Sequence, residues 1–274
     1  MATEELDRLV ENLKRLHLRH AAANLDEHLR TAARLKLGHT AMLARIVEAE
    51  VLARKETGAQ KRIRAAAFPE VCRLEDYRYA EQPCLDRKQV MDLGELGFID
   101  RCESVICIGA SGVGKTFLGI GLGMRACEAG YSVRYCRAYE MLHELYAALA
   151  DDTLDARLEE LCEPDLLLID ELGNSPRTAE QDFAGVFFEL IARRYRHGSI
   201  VLSTNLGFDE WPSALGRASQ ISPALDRLLD GAHVITLPKD AISFRGARKG
   251  GPGPLPARRA RRRRGETSPR RKGA

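Results

Sequence analysis

The sequence predicts an α/β protein with a parallel sheet that carries helices on both faces. From about residue 104 onward, short apolar segments alternate with helical segments. Such alternation produces a parallel sheet, because each helix returns the chain to start the next strand in the same direction. The first apolar segment ends in a glycine-rich turn that leads directly into a helix. The residues before this region show only helical periodicity, which predicts a small helical domain in front of the sheet.

Length and composition exclude several classes of protein. The chain has 274 residues, of which 45% are hydrophobic, enough for one large domain or two modest ones. No apolar run approaches the 18 or so residues of a membrane span, and the first residues, with Glu4 and Glu5, are unlike a signal peptide. The seven cysteines never occur as C-x-x-C, so we expect reduced thiols and no zinc site, as in a cytoplasmic protein. Because no apolar run is long enough, we also expect no contact with a membrane.

Residues 1–67 are predicted to form the helical N-terminal domain. Apolar side chains recur there at helical spacing, interrupted near Gly38, and they comprise Leu6, Leu9, Val10, Leu13 and Leu16, then Leu43, Ile46, Val47 and Leu52. A basic helical stretch follows from Arg54 to Arg64 and ends before Pro69. We expect this domain to bind DNA or a protein partner.

Residues 68–245 are predicted to form the sheet domain. A connecting segment covers residues 74–97, and three helices are expected at 117–129, 140–149 and 183–195. Five strands are expected at 104–108, 132–136, 166–169, 199–203 and 233–237. Because few residues remain between the fifth strand and residue 246, we expect no large C-terminal lid.

Residues 246–274 have no periodicity and are predicted to be a disordered, arginine-rich tail. This tail holds eleven basic residues and one acidic residue, a net charge of +10, while residues 1–75 carry +3 and residues 76–245 carry −10. Because the middle of the chain is acidic, we expect a polyanion to be bound mainly by the two ends.

Residues 109–116 fit the phosphate-binding pattern G-x-x-x-x-G-K-[ST], placed between a strand and a helix as this motif requires. Backbone N–H groups of such a loop surround the phosphates, and the positive end of the next helix points at them. Lys115 is expected to contact the β- and γ-phosphates, and Thr116 to bind Mg²⁺. The residues expected to bind ATP here are Gly109, Ala110, Ser111, Gly112, Val113, Gly114, Lys115, Thr116 and Phe117.

An acidic pair follows the apolar strand at 166–169. Asp170 is expected to hold Mg²⁺ beside the loop, mostly through water, and Glu171 to orient and deprotonate the attacking water. An Asp-Glu pair at a strand end can also be a simple helix cap. A phosphate-binding loop upstream favours the catalytic interpretation.

Three further residues are candidates for the same site. Asn205 follows the fourth strand and is expected to reach the γ-phosphate and position the water, or to be a turn residue only. Arg227 is either a surface charge or an arginine that stabilises the transition state at a neighbouring subunit's γ-phosphate. Arg245 is a candidate second phosphate sensor, with a surface charge as the alternative.

The order of these motifs resembles the IstB-like ATPases, the AAA+ helper proteins of bacterial insertion sequences and relatives of the DnaC-type helicase loaders. The resemblance covers most of residues 5–246. Beyond the nucleotide motifs, it depends on the helical N-terminal domain and on five short segments: residues 62–69, Leu74-Glu75-Asp76-Tyr77, the region of Trp211, Asp226-Arg227-Leu228 and Ser243-Phe244-Arg245. The polar segment at 172–176 departs from the family, and so does the tail, which is either an added DNA-binding arm or out-of-frame coding.

The resemblance implies an AAA+ core and an ATP-dependent homo-oligomer that binds duplex DNA and hydrolyses ATP with Mg²⁺. It implies that a cognate transposase is the partner, and that the protein helps to select and remodel target DNA. It also implies that Asn205 is the sensor and that Arg227 acts in trans. Two alternatives stay open: a loader whose partner is a replicative helicase, and a P-loop kinase of small molecules.

Overall fold

The computed structural model of the chain describes residues 2–173 and 182–237, without the side chains of the first two of these. Its centre is a five-stranded sheet in the order β2-β3-β4-β1-β5, and every neighbouring pair is parallel. The strands are β1 (Val105–Ile108), β2 (Val133–Arg137), β3 (Leu166–Leu172), β4 (Ser199–Thr204) and β5 (His233–Thr236). The predicted α/β class and all five predicted strands are therefore confirmed.

Helices precede the sheet and connect its strands. They are α1 (Ala2–Arg15), α2 (Arg19–Ala23), α3 (Leu25–Leu35), α4 (His39–Ala66), α5 (Arg87–Leu93), α6 (Gly97–Asp100), α7 (Lys115–Ala129), α8 (Ala138–Ala147), α9 (Leu154–Cys162), α10 (Ala184–Arg194), α11 (Trp211–Leu215) and α12 (Ala218–Leu229). Two 3₁₀ turns, Leu74–Asp76 and Tyr79–Glu81, lie in the predicted connecting segment. The sequence predicted α7, α8 and α10 within a few residues, and it predicted the end of α12 as a short helical segment at 224–229. It missed α5, α6, α9 and α11.

The two faces of the sheet carry separate apolar clusters. One contains side chains of α4, α7 and the segment that joins them, among them Phe68, Leu74 and Leu118. The other contains side chains of α8, α10, α11 and α12, with Trp211 fully buried between Phe187 and Phe208. Because both faces are covered, the central strands are apolar without alternation, as in β3, where Leu166 to Asp170 are all buried.

Arg194 is a buried charge with a structural role. Its side chain is 1% exposed, and its guanidinium donates hydrogen bonds to main-chain carbonyls of five residues: Leu161, Cys162, Pro164, Asp165 and Ser199. These bonds join the end of α10 to the loop before β3 and to the start of β4. A buried arginine without such partners would be strongly destabilising.

The last turns of α4 pack into the sheet domain. Ile63 and Ala66 belong to the same apolar cluster as α7, and Arg62 Nε donates a 2.7 Å hydrogen bond to the carbonyl of Cys127 at the far end of α7. The ring of Phe68 lies so close to Gly123 that a Cβ there would come within 2.9 Å of it. The chain then follows α7 back toward the glycine-rich turn.

The N-terminal helices α1 to α4 share a small apolar cluster of their own, built on Ala21, Leu25 and Ile46. Glu50 is buried beside it, where its carboxylate accepts hydrogen bonds from the N–H of Ala21 at 2.9 Å and from Arg54 Nε at 2.8 Å. Burial opposes the charge of Glu50, but these bonds outweigh it and lower the pKa of Glu50. A charged carboxylate thus joins α2 to α4.

The apolar stripes predicted on these helices are only partly buried. Leu6, Val10 and Leu13 pack against the small cluster, whereas other members of the predicted stripes are exposed, namely Leu9, Leu16, Leu43, Val47 and Leu52. The small cluster shared by α1 to α4 does not enclose these side chains. Within the described ranges, no helix is both long and apolar enough to cross a membrane, and all seven cysteines are free thiols. The predicted disordered tail lies outside the described residues.

Candidate functional site

The glycine-rich turn lies between the end of β1 and the start of α7, at the carboxyl edge of the sheet. Gly114 has φ of +100°, a left-handed conformation that favours glycine, and the helix begins at the next residue. Lys115 Nζ donates hydrogen bonds to the carbonyls of Gly109 at 2.8 Å and Ala110 at 2.7 Å. The lysine charge is therefore held over the loop, where it can face the phosphates of a nucleotide.

Asp170 lies at the centre of a cluster of hydroxyl groups. Thr116 Oγ1 donates to its carboxylate at 2.9 and 3.1 Å from the two oxygens, and Tyr135 donates to Oδ2 at 3.0 Å. Ser203 Oγ donates to Oδ1. Burial, and next the charge of Asp170, raise the pKa of Tyr135 well above its ordinary value, so this phenol remains a proton donor at neutral pH.

The donor set around Thr116 and Asp170 suits Mg²⁺ bound together with a nucleotide. Mg²⁺ keeps several waters and takes one or two carboxylates plus phosphate oxygens, rather than a cage of protein ligands. The site offers one buried carboxylate and one hydroxyl in contact with it. Within residues 2–173 and 182–237 no group of three or more His, Cys, Asp or Glu could hold a metal by itself.

Glu171 follows Asp170 in β3 and is half-buried. Its φ of +61° lies in the left-handed region, which non-glycine residues adopt uncommonly. Its main-chain N–H donates a 2.9 Å hydrogen bond to Ser203 Oγ on the neighbouring strand. The two acidic residues that the sequence paired thus share one serine hydroxyl.

Asn205 is exposed and directly follows β4. Its Oδ1 lies 3.3 Å from the position that a Cβ on Gly173 would occupy. The asparagine is thus beside the chain that leaves β3 just after Glu171. The glycine-rich turn, Asp170, Glu171 and Asn205 all belong to the same edge of the sheet.

Arg227 lies elsewhere, on α12. Its guanidinium stands 5.0 Å from the centre of the Phe188 ring on α10, and Nη1 donates a 3.1 Å hydrogen bond to the carbonyl of Pro223. Its contacts are therefore with α10 and its own helix rather than with the glycine-rich turn. Beside it lies an open pocket of about 580 Å³ lined by Tyr195, Asp226 and Asp230. Arg245 is outside the described residues.

Sequence reasoning missed three residues around the site: Tyr77, Tyr135 and Ser203. Tyr77 is buried, its phenol donates a 3.0 Å hydrogen bond to the carbonyl of Val113, and its ring packs against Phe117 at 5.7 Å. Ser203 stands in the Ser203-Thr204-Asn205 segment that drew attention only for its asparagine. Tyr77 ends the segment Leu74-Glu75-Asp76-Tyr77, which carries part of the family resemblance, but no role was predicted for it. No motif marks Tyr135, whose partner Asp170 is distant in the sequence.

Comparison with solved structures gives only partial matches. DnaA from Aquifex aeolicus bound to AMPPCP gives a TM-score of 0.49 at 20% identity and covers 62% of this chain and 51% of that one. DnaI gives a TM-score of 0.49 at 17% identity, covering 62% and 89%.

Comparison of sequences is more specific. The chain matches the family described as IstB-like ATP binding protein over residues 11–250. It is 33% identical over 239 residues to an ATP-binding protein of insertion sequence IS21 from Pseudomonas aeruginosa, covering 87% of this chain and 89% of the relative. It is 30% identical to that of IS5376 from Geobacillus stearothermophilus, covering 87% and 94%. The predicted resemblance and the prediction of an ATPase are confirmed, and the chain belongs to the IstB-like family of ATP-binding proteins.

Proposed function

We propose that this protein is a DNA-binding, oligomeric ATPase that assists a transposase in selecting and remodelling target DNA. The observation that carries the proposal is the contact between Thr116 and Asp170 beside Lys115, in a chain whose relatives are ATP-binding proteins of insertion sequences. Lys115, Thr116 and Asp170 together supply the cation, the hydroxyl and the carboxylate that an ATPase needs at the phosphates. The association with insertion sequences supports a transposase, rather than a replicative helicase, as the partner.

Binding of ATP is assigned to residues 109–117, with Lys115 facing the β- and γ-phosphates and the N–H groups of the loop around them. Thr116 and Asp170 would hold Mg²⁺, which neutralises charge that develops on the phosphate oxygens when it is bound. The hydroxyls of Tyr135 and Ser203 keep the Asp170 carboxylate facing this position.

Hydrolysis requires a water molecule in line with the γ-phosphorus. Glu171 takes a proton from this water as its oxygen bonds to phosphorus, and the bond to the bridging oxygen of ADP breaks. Asn205 orients the water from the end of β4. Arg227 belongs to the neighbouring subunit's site, where its charge stabilises the transition state.

The proposed contact with DNA uses the two basic ends of the chain. Residues 1–75 and 246–274 carry net charges of +3 and +10, whereas the middle carries −10 and would repel phosphates. Residues 1–67 are assigned the larger part, since they lie mostly inside the family match and the tail does not. A protein of this kind works on DNA in the cytoplasm.

The test is the rate of ATP hydrolysis with and without duplex DNA, with the size of the oligomer measured alongside. Stimulation by DNA together with an ATP-dependent oligomer would support the proposal. A monomer whose rate of ATP hydrolysis is unchanged by DNA would contradict the proposal and favour a P-loop kinase of small molecules. A pull-down would then distinguish the transposase from a replicative helicase as partner.

A further inference from the structure

The acidic end of β3 contains an irregularity in its pairing with β4. Ile169 is opposite Leu202 and Leu172 is opposite Thr204, so the two residues between them face the single residue Ser203. Two residues opposite one is the arrangement of a β-bulge, which bends a strand and redirects its side chains. The bulge consists of Asp170 and Glu171, the two acidic residues of the site.

One buried hydroxyl contacts both residues of this bulge. Ser203 Oγ accepts the main-chain N–H of Glu171 at 2.9 Å and donates to the carboxylate of Asp170. Ser203 is 4% exposed, so solvent does not compete for these bonds. The hydroxyl therefore fixes the main chain of one acidic residue relative to the carboxylate of the other.

The next residue of β4 acts on the same irregularity. Thr204 Oγ1 donates a 2.9 Å hydrogen bond to the carbonyl of Leu172 and accepts the N–H of Leu206 at 3.0 Å. Thr204 is fully buried. Two adjacent hydroxyls on β4 thus fasten the bulge on either side of Glu171, at the place where the regular main-chain register shifts.

We infer that Ser203, assisted by Thr204, is a positioning residue for ATP hydrolysis, because it sets the direction in which Glu171 leaves β3. This inference rests on the proposed role of Glu171 as the base. Asp170 keeps Thr116 and Tyr135 as donors when Ser203 is replaced. Replacement of Ser203 should therefore displace Glu171 and lower the catalytic rate, with a smaller effect on the affinities for nucleotide and metal.

Ser203→Ala in the full-length protein tests the inference. We expect kcat to fall by about tenfold or more, toward the roughly hundredfold that a misplacement of about 1 Å can cost. The KM for ATP, and the Kd of a non-hydrolysable fluorescent ATP analogue, should stay within about twofold of the wild type. A loss of analogue affinity as large as the loss of kcat would overturn the inference, and so would an unchanged kcat.

Ser199→Ala is the matched control. Ser199 is a fully buried serine at the opposite end of the same strand, where its hydroxyl donates a 3.2 Å hydrogen bond to the carbonyl of Phe98. This variant removes the same atom from the same strand, so it reproduces any general weakening of β4. We expect its kcat to equal that of the wild type. An equal fall in kcat would make the effect of Ser203→Ala merely structural.

Two more variants keep the inference falsifiable. Thr204→Val preserves shape but removes the second hydroxyl, and it should lower kcat in the same direction with unchanged analogue binding. Ser203→Thr retains an Oγ and should recover most of the rate that Ser203→Ala loses. If Glu171→Gln still hydrolyses ATP, the proposed base is wrong. If Glu171→Gln is inactive while Ser203→Ala and Thr204→Val are fully active, only the positioning role fails.

Discussion

The phenol of Tyr77 donates a 3.0 Å hydrogen bond to the carbonyl of Val113, inside the glycine-rich turn between β1 and α7. Tyr77 comes from the segment between α4 and the sheet, so a residue outside the nucleotide motif contacts the loop directly. Burial raises the pKa of Tyr77 well above its ordinary value, which keeps the phenol protonated and able to donate. The segment that follows α4 thus helps to hold the conformation of the glycine-rich turn.

Tyr77→Phe should therefore weaken ATP binding. The variant keeps the ring against Phe117 but leaves the Val113 carbonyl without this donor, a loss of about 1 kcal/mol or roughly fivefold in affinity. Titration with a fluorescent ATP analogue measures it. Tyr79→Phe is the control, since its hydroxyl donates to the carbonyl of Leu74 instead. Equal affinities for Tyr77→Phe and the wild type would contradict the prediction.

Lys115→Ala should strongly weaken ATP binding, because it removes the positive charge proposed to face the phosphates. We expect more than about a tenfold loss of affinity, as for other hydrogen bonds made by a charged donor. The exposed Lys88 on α5 supplies the control, and Lys88→Ala should bind like the wild type. The assignment of the loop would be wrong if Lys115→Ala retained normal affinity by equilibrium dialysis.

Arg227→Ala and Glu171→Gln should complement each other. Each protein alone is expected to bind ATP and to hydrolyse it poorly, the first for want of a neighbour's arginine and the second for want of a base. Subunits in head-to-tail contact form mixed interfaces. In an equal mixture, about a quarter of the sites then combine an intact base with an intact arginine, and the ATPase rate should recover accordingly.

The complementation result decides where Arg227 acts. Exchange of subunits is established first with differently labelled proteins. If exchange occurs and no activity returns, Arg227 lies outside the active site and serves its contacts with Phe188 and Pro223 only. That outcome would leave the assignment of the protein as an ATPase unchanged.

Deletion of residues 246–274 removes a net charge of +10. If the tail binds DNA, affinity should fall equally for all sequences, and the slope of log K against log salt should flatten by about 0.9 for each phosphate that the tail neutralises in the full-length protein. Binding measured at several salt concentrations provides both quantities. If affinity and slope are unchanged, the tail does not bind DNA, and the proposed DNA binding falls to the N-terminal helices alone.

Much of the sheet could be predicted because its signals are local. β1, β3 and β4 are short apolar runs, and the glycine-rich turn has a fixed pattern directly after the first of them. Once the strands are parallel, their carboxyl ends share one edge. The meeting of Thr116 with Asp170 follows from that arrangement, although 54 residues separate them.

The supporting hydroxyls could not be predicted in this way. Tyr77 is 36 residues from Val113, and Tyr135 and Ser203 are 35 and 33 residues from Asp170. Periodicity reports which face of a helix or strand is apolar, but it does not identify a single partner on another element. For the same reason the sequence marked Leu43 and Val47 as apolar helix positions without indicating that more than half of each residue is exposed, at 57% and 58%.

The packing of α4 matters to anyone who exchanges segments among these proteins. A chimera cut at residue 67, where the helical periodicity ends, would separate Ile63 and Ala66 from the cluster that they share with α7, and Arg62 from the Cys127 carbonyl. The foreign helix would have to fit a surface shaped for another sequence. A junction at Gly38, in the short turn before α4, keeps that helix with its own sheet and exchanges only α1 to α3. The new helices must then pack against Ile46 and supply the N–H that Glu50 accepts from Ala21.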